Sequence, residues 1–174
     1  RLIMEELELK QEDRAPVKPA RAYAERLMKR TVDNEIPAVI AFELNDGRII
    51  TGRTSDLMDA CSSAILNAIK ALANISDDIL LLSPVILEPI KKLKSDGLHK
   101  RIPTLTANEI LIALSISAVT NPTAQLAYDK LSELKDVQAH STVILNKDDD
   151  QILRNLGLDI TCDPVYPSEN LYYV

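Results

Sequence analysis

The amino-acid sequence predicts an α/β fold, a three-layer sandwich around a mixed, mainly parallel sheet of about five strands. Three observations carry that expectation. Residues 38–51 hold two short apolar runs separated by Asp46-Gly47, a strong hairpin signal, since a tight type I′ turn needs positive φ at both central positions. A long helix follows over 56–74, where Asp59, Ser63, Asn67, Lys70 and Asn74 recur at steps of three or four and form one narrow polar stripe. The rest of that helix is apolar or small, and Ala60, Ala64, Ala68 and Ala71 make a smooth seam suited to close packing on a sheet. Beyond it, short apolar runs alternate with helical patterns, as crossover connections require.

Taken in order, residues 2–9 read as the last turns of an acidic helix, with Leu2, Ile3, Leu7 and Leu9 around Glu5, Glu6 and Glu8. Pro16 and Pro19 break it, and Pro19 opens a second helix over 20–31, where a missing N–H costs nothing. After the hairpin and the long helix, the apolar run 79–82 suits a central parallel strand buried on both faces. Ser83-Pro84 starts the next helix, with serine as N-cap and proline at the first position, and it finishes near Asp96-Gly97. Thr106 and Glu109 form a capping box. The helix they open, to about Val119, is apolar nearly all round and is expected to be buried. Asn121-Pro122 caps another, running to about Leu134. Residues 140–145 and 158–162 read as strands, and 148–156 as a short helix closed by Gly157. The division that follows is a helical lead-in from a preceding domain at 1–35, an α/β domain at 36–163 and a surface tail at 164–174. Arg1 stands partway through a helical pattern, which reads as a piece of a longer protein.

Composition excludes several functions. A net charge of −6 with no compensating basic block argues against nucleic acid and anionic membranes as partners. Aromatic residues make up 3%, too few for base-stacking platforms. Cys61 and Cys162 stand far apart with no C-x-x-C, so two reduced, packed thiols are favoured over a disulfide or metal pair. The longest apolar run, 110–114, is far too short to cross a bilayer, and a cytoplasmic location is expected.

Candidate site residues lie at strand-to-helix junctions, where open α/β sheets bind ligands. In 51–55, Arg53 offers a fork of donors for phosphate or carboxylate, and Ser55 precedes the long helix, either as ligand group or as cap. Ser83 is expected at the same sheet end, again as ligand group or N-cap. Asp59, on the polar stripe, could bind a cation or a hydroxyl or simply favour the helix dipole. Asn121 reads first as a cap. His140, with Ser141 and Thr142 beside it, is the candidate for acid/base work, joining the Arg53 crevice only if its strand runs antiparallel. The element order is cytidine-deaminase-like, but the chemistry is not. Zinc deaminases need H-x-E and P-C-x-x-C. Here the corresponding helices offer Asp59-Ala60-Cys61 and Ser83-Pro84-Val85, and the chain has only His99 and His140, so no zinc is expected and no other cofactor is indicated.

Five segments together carry a family resemblance: ELNDGRIITGRTSDLMDA, ANISDDILLLSPVILEPI, ALSISAVTNPTAQLA, AHSTVIL and TCDPVYPSENLYYV. They resemble the C-terminal part of a bacterial family known as domain of unknown function 1846. The resemblance implies a cytoplasmic protein much longer than this chain, whose N-terminal part carries a Gly-rich, P-loop-like segment suggestive of nucleotide binding. No such segment occurs in these 174 residues, and the family brings no catalytic residues to carry over. The expectation is a domain contributing part of a binding or catalytic site for a phosphorylated or carboxylated small molecule. The alternative is a non-catalytic structural or oligomerisation domain supporting the nucleotide-binding part. Expected partners are that N-terminal part and further copies of the protein.

Overall fold

The computed structural model describes residues 13–30, 37–101 and 103–167, so the expected helix at 2–9 and the end of the tail lie outside the described residues. Helix α1 (Val17–Met28) precedes β1 (Val39–Glu43), β2 (Ile49–Arg53), α2 (Ala60–Leu72), α3 (Pro84–Lys92), α4 (Ala107–Ala118), α5 (Pro122–Tyr128), β3 (Gln138–Ser141), α6 (Lys147–Asn155) and β4 (Asp159–Cys162). A π-helical turn, Leu93–Gly97, extends α3, and a 3₁₀ turn, Leu131–Leu134, follows α5.

Among the described residues the sheet has four strands in the order β2-β1-β3-β4, where the sequence predicts about five. It is mixed but mainly antiparallel: β1 runs antiparallel to both neighbours, and only β3 and β4 are parallel. The missing strand is 79–82, which lies in a loop with Ile79 and Leu80 exposed while Leu81 and Leu82 enter the core. A short apolar run reports burial, and burial needs no ladder.

The hairpin forms with a different turn. Only Gly47 has positive φ, at 90°, and its N–H donates to Leu44 O at 2.8 Å, while Leu44 N donates to Arg48 O. The loop is therefore Asn45-Asp46-Gly47, three residues with glycine in the left-handed place, which leaves Asp46 free of the strain a type I′ turn would impose. Asp46 instead accepts from Arg48 N at 3.1 Å.

Helix α1 starts at Val17 with Pro16 as N-cap, three residues before the expected start, so Pro19 falls inside the first turn. That turn needs no N–H from it. Helix α2 starts at Ala60 because Asp59, not Ser55, is its cap, accepting from Ser62 N at 2.9 Å. The alanine seam packs as expected: a Cβ built on Gly52 of β2 would stand 2.2 Å from Ala64 N. Ile65 and Ile69 of α2, Ile40 and Phe42 of β1, and Ile110, Leu114 and Leu153 form the core on that face. On the other face, Ala20 and Ala24 of α1 cover Val39 and Ala41.

Helix α4 keeps its capping box, with Thr106 N donating to Glu109 Oε1 at 2.9 Å. It is not buried all round: Ile110, Ala113 and Leu114 are, but Ile112 is 53%, Ile116 67% and Val119 81% exposed. A helix on the flank of the core has one side to bury, and a sequence apolar on every side does not say which. Helix α5 stops at Tyr128, and Leu134 reaches the core from the 3₁₀ turn. Strand β3 occupies 138–141 in place of 140–145 because Ser141 and Thr142 turn their hydroxyls to the backbone. Ser141 Oγ donates to Val143 O at 2.6 Å, and Thr142 Oγ1 accepts from Val39 N at 3.0 Å.

Candidate functional site

Antiparallel pairing places Arg53 opposite Val39 and Ser141 opposite Ile40, so the carboxyl ends of β2, β3 and β4 share one end of the sheet. At that end, beside the free edge of β2, opens a cleft of about 310 Å³. Arg53 and Ser55 line it, as do Ser63, Asn67 and Lys70 from the polar stripe of α2 and Tyr23 from α1. Met58, Leu66 and Leu80 to Leu82 supply its apolar surface. Among the described residues, no carboxylate lines it. Arg53 is exposed and, among the described residues, holds no hydrogen bond or ion pair. Lys70 is buried, with Nζ donating to Asp77 O at 2.9 Å and two further N–H groups to spare. Asn67 Nδ2 donates to Thr51 O at 2.9 Å, which ties α2 to the strand edge. Ser55 Oγ accepts from the N–H groups of Leu57 and Met58, both at 3.3 Å, and so shapes the loop.

His140 lies elsewhere. It stands opposite Ala41 and Thr161 in the sheet, on the face covered by α1, and is fully buried. Arg14 donates to Thr161 Oγ1, to Gln138 Oε1 and, at 2.9 Å, to Asp159 O. Thr161 Oγ1 pairs with His140 Nδ1 at 2.7 Å, in a direction set by the imidazole tautomer. Nε2 faces Asp163 Oδ1 at 3.1 Å without the alignment of a hydrogen bond. Burial holds the imidazole below its usual range against the pull of Asp163, and Arg21 and Arg14 add to the depression. Burial would raise the Asp163 carboxyl, but its hydrogen bond from Arg21 at 2.7 Å and the neighbouring His140 bring it below the usual range. This network fastens α1 to the sheet and keeps His140 out of the cleft.

Asp59, next in sequence to the cleft-lining Met58, is not itself a lining residue. Besides Ser62 N it accepts from Ser62 Oγ at 2.7 Å, and its carboxyl lies near that of Asp149. Burial first, and the Asp149 contact second, push Asp59 up to about 8, so the pair holds a proton at neutral pH. Asp149 itself accepts from Ala107 N at 3.1 Å and from Asn146 Nδ2 at 3.0 Å. The first turns of α2, α4 and α6 thus meet at one carboxyl pair. Burial, with these carboxylates nearby, pushes the Cys61 thiol well up. Asn121 caps α5, accepting from Thr123 N and Ala124 N. Ser83 is the N-cap residue of α3 without a side-chain cap bond, next in sequence to the cleft-lining Leu82.

Of the sequence candidates, then, Arg53 and Ser55 share the cleft, and His140, Ser141, Thr142, Asp59 and Asn121 do not line it. Sequence reasoning missed Lys70 and Asn67 as site residues although their stripe was visible, and it missed Tyr23, Arg14 and Asp163, which carried no local signal. Among the described residues, no three His, Cys, Asp or Glu side chains are grouped to hold a metal, and no helix is long and apolar enough to cross a membrane.

Fold and site together define an α/β domain with a mixed four-stranded sheet and a cationic cleft at its β2 edge. The chain belongs to the family described as domain of unknown function DUF1846, C-terminal, which matches residues 12–172. It is 59% identical over 173 residues to a UPF0371 protein of Clostridium tetani, 58% to one of Clostridioides difficile and 57% to one of Clostridium botulinum strain Eklund 17B. Each match covers 99% of this chain and 34% of the relative, so the chain spans about a third of the length of these proteins.

Proposed function

We propose that the β2-edge cleft binds the anionic group of a phosphorylated or carboxylated small molecule, as part of a binding or catalytic site in a longer cytoplasmic bacterial protein. One observation carries the reading: two cations, Arg53 and Lys70, line a cleft that holds no carboxylate among the described residues, on a chain of net charge −6. Arg53 supplies a planar fork to the anion, Lys70 a point charge behind it, and Ser55, Ser63 and Asn67 the neighbouring polar groups. Met58 and Leu80 to Leu82 would receive the apolar part of the ligand. A second reading, a non-catalytic structural domain that supports a nucleotide-binding part or forms oligomers, draws on the exposed apolar side chains of α4.

Thermal unfolding against nucleotides, sugar phosphates and small carboxylates separates the two. A ligand at 100 times its dissociation constant stabilises the fold by about 2.7 kcal/mol. The site reading requires a shift that Arg53→Ala abolishes while the unliganded melt stays unchanged, because Arg53 is exposed. Stabilisation that survives Arg53→Ala, or none with any of these ligands, refutes it.

A further inference from the structure

We infer that the outer face of α4 is the docking surface for the remaining part of a longer polypeptide, of the kind its relatives possess. From Asn108 to Thr120 the outward positions of this helix are Asn108, Ile112, Ser115, Ile116, Val119 and Thr120, with Leu111 half-buried beside them. None is charged, in a chain where 26% of residues are. The single acid of the helix, Glu109, sits at the edge of this face and is paired with Lys94 at 2.7 Å. Ile112, Ile116 and Val119 follow at steps of four and three, which stacks them in one stripe. A solvated helix face ordinarily carries Lys, Glu or Arg, and a contiguous apolar face rimmed by polar residues marks a contact.

The size of the stripe decides the occupant. Three turns of one helix offer on the order of a few hundred Å² per side, short of the roughly 1,000 Å² that holds two separate chains together. A segment tethered in the same polypeptide is present at an effective concentration on the order of millimolar, so a small apolar contact suffices. The relatives have such a segment: two-thirds of their length lies outside the match. A second copy of this chain has neither advantage.

The test is cysteine labelling of the longer polypeptide, with Ile116→Cys compared with Lys147→Cys, an exposed position on α6, and the native Cys61 and Cys162 counted by intact mass. Both substitutions are at the surface and leave the core untouched. Maleimide should modify Ile116→Cys at least about 100-fold more slowly than Lys147→Cys, independent of protein concentration. Equal rates would overturn the proposal. Protection that appears only as concentration rises would overturn it in favour of a second copy. Isolation of the native protein at the length of this chain alone would overturn it as well.

Discussion

Replacing Asp59 by asparagine should stabilise the protein, and by an amount that grows with pH. In the folded chain the Asp59 carboxyl keeps its proton up to about 8, against an ordinary 3.8, because it is buried against Asp149. The unfolded chain loses that proton near 3.8. Between the two values the folded state therefore binds more protons, and stability falls as pH rises through the window and levels off above it. Each pH unit is worth about 1.4 kcal/mol, so the full window amounts to roughly 6 kcal/mol and the stretch from pH 5 to pH 8 to about 4 kcal/mol. Asparagine keeps the oxygen that accepts from Ser62 N and places a neutral amide beside Asp149. Urea unfolding of the native sequence and of Asp59→Asn at pH 5, 6, 7 and 8 measures the difference directly. The two stability curves should diverge towards high pH, with the variant above. Parallel curves, or a variant less stable at pH 8, would refute the shared proton.

Gly52→Ala should destabilise by about 3 kcal/mol or more, because the new methyl meets the backbone of Ala64 and neither strand nor helix can retreat without opening the core; the urea midpoint reads it, and an unchanged midpoint would mean that α2 does not lie so close. His140 should titrate below its ordinary 6.5 in an NMR pH series and lower still in Asp163→Asn, since the carboxylate is the one neighbour that raises it. Its contribution to stability has the opposite sign to that of Asp59: the unfolded imidazole takes a proton first, so stability is lost as pH falls below 6.5.

Elements specified by local chemistry were legible in the sequence. Thr106 and Glu109 bond each other's backbone in any context, Asn121 caps the turn that follows it, and Gly157, at φ 91°, closes α6 as a left-handed glycine should. The alanine seam of α2 announced a close approach, and Gly52 is the residue that permits it. What failed depended on partners far along the chain. Nothing in 79–82 distinguishes a strand from a loop that drops two leucines into the core, because both require only that the side chains be apolar. Strand direction failed for the same reason, since β1 has β3 as its second neighbour only after some ninety residues of intervening helix. The family resemblance succeeded because it drew on five segments at once rather than on any one of them.

The site divides along the same line. Arg53 and Ser55 could be paired with each other because they are two residues apart on one junction. Lys70 joins them only because α2 is long enough to bring its third turn back along the edge of β2, which the stripe Ser63, Asn67, Lys70 encodes as spacing but not as direction. His140 illustrates the opposite error. A histidine among hydroxyls reads as chemistry, yet here the Thr161 hydroxyl and the Asp163 carboxylate stand against a buried imidazole that no cleft reaches. The deciding fact is α1 with the turn before it, whose Arg21 and Arg14 reach over from more than a hundred residues away and bond Asp163 and the β4 backbone. Because the residues α1 buries, Val17, Ala20 and Ala24, are few and small, these polar contacts add to its hold on the sheet. Loss of Asp163 should therefore loosen α1 before it disturbs the core on the opposite face of the sheet.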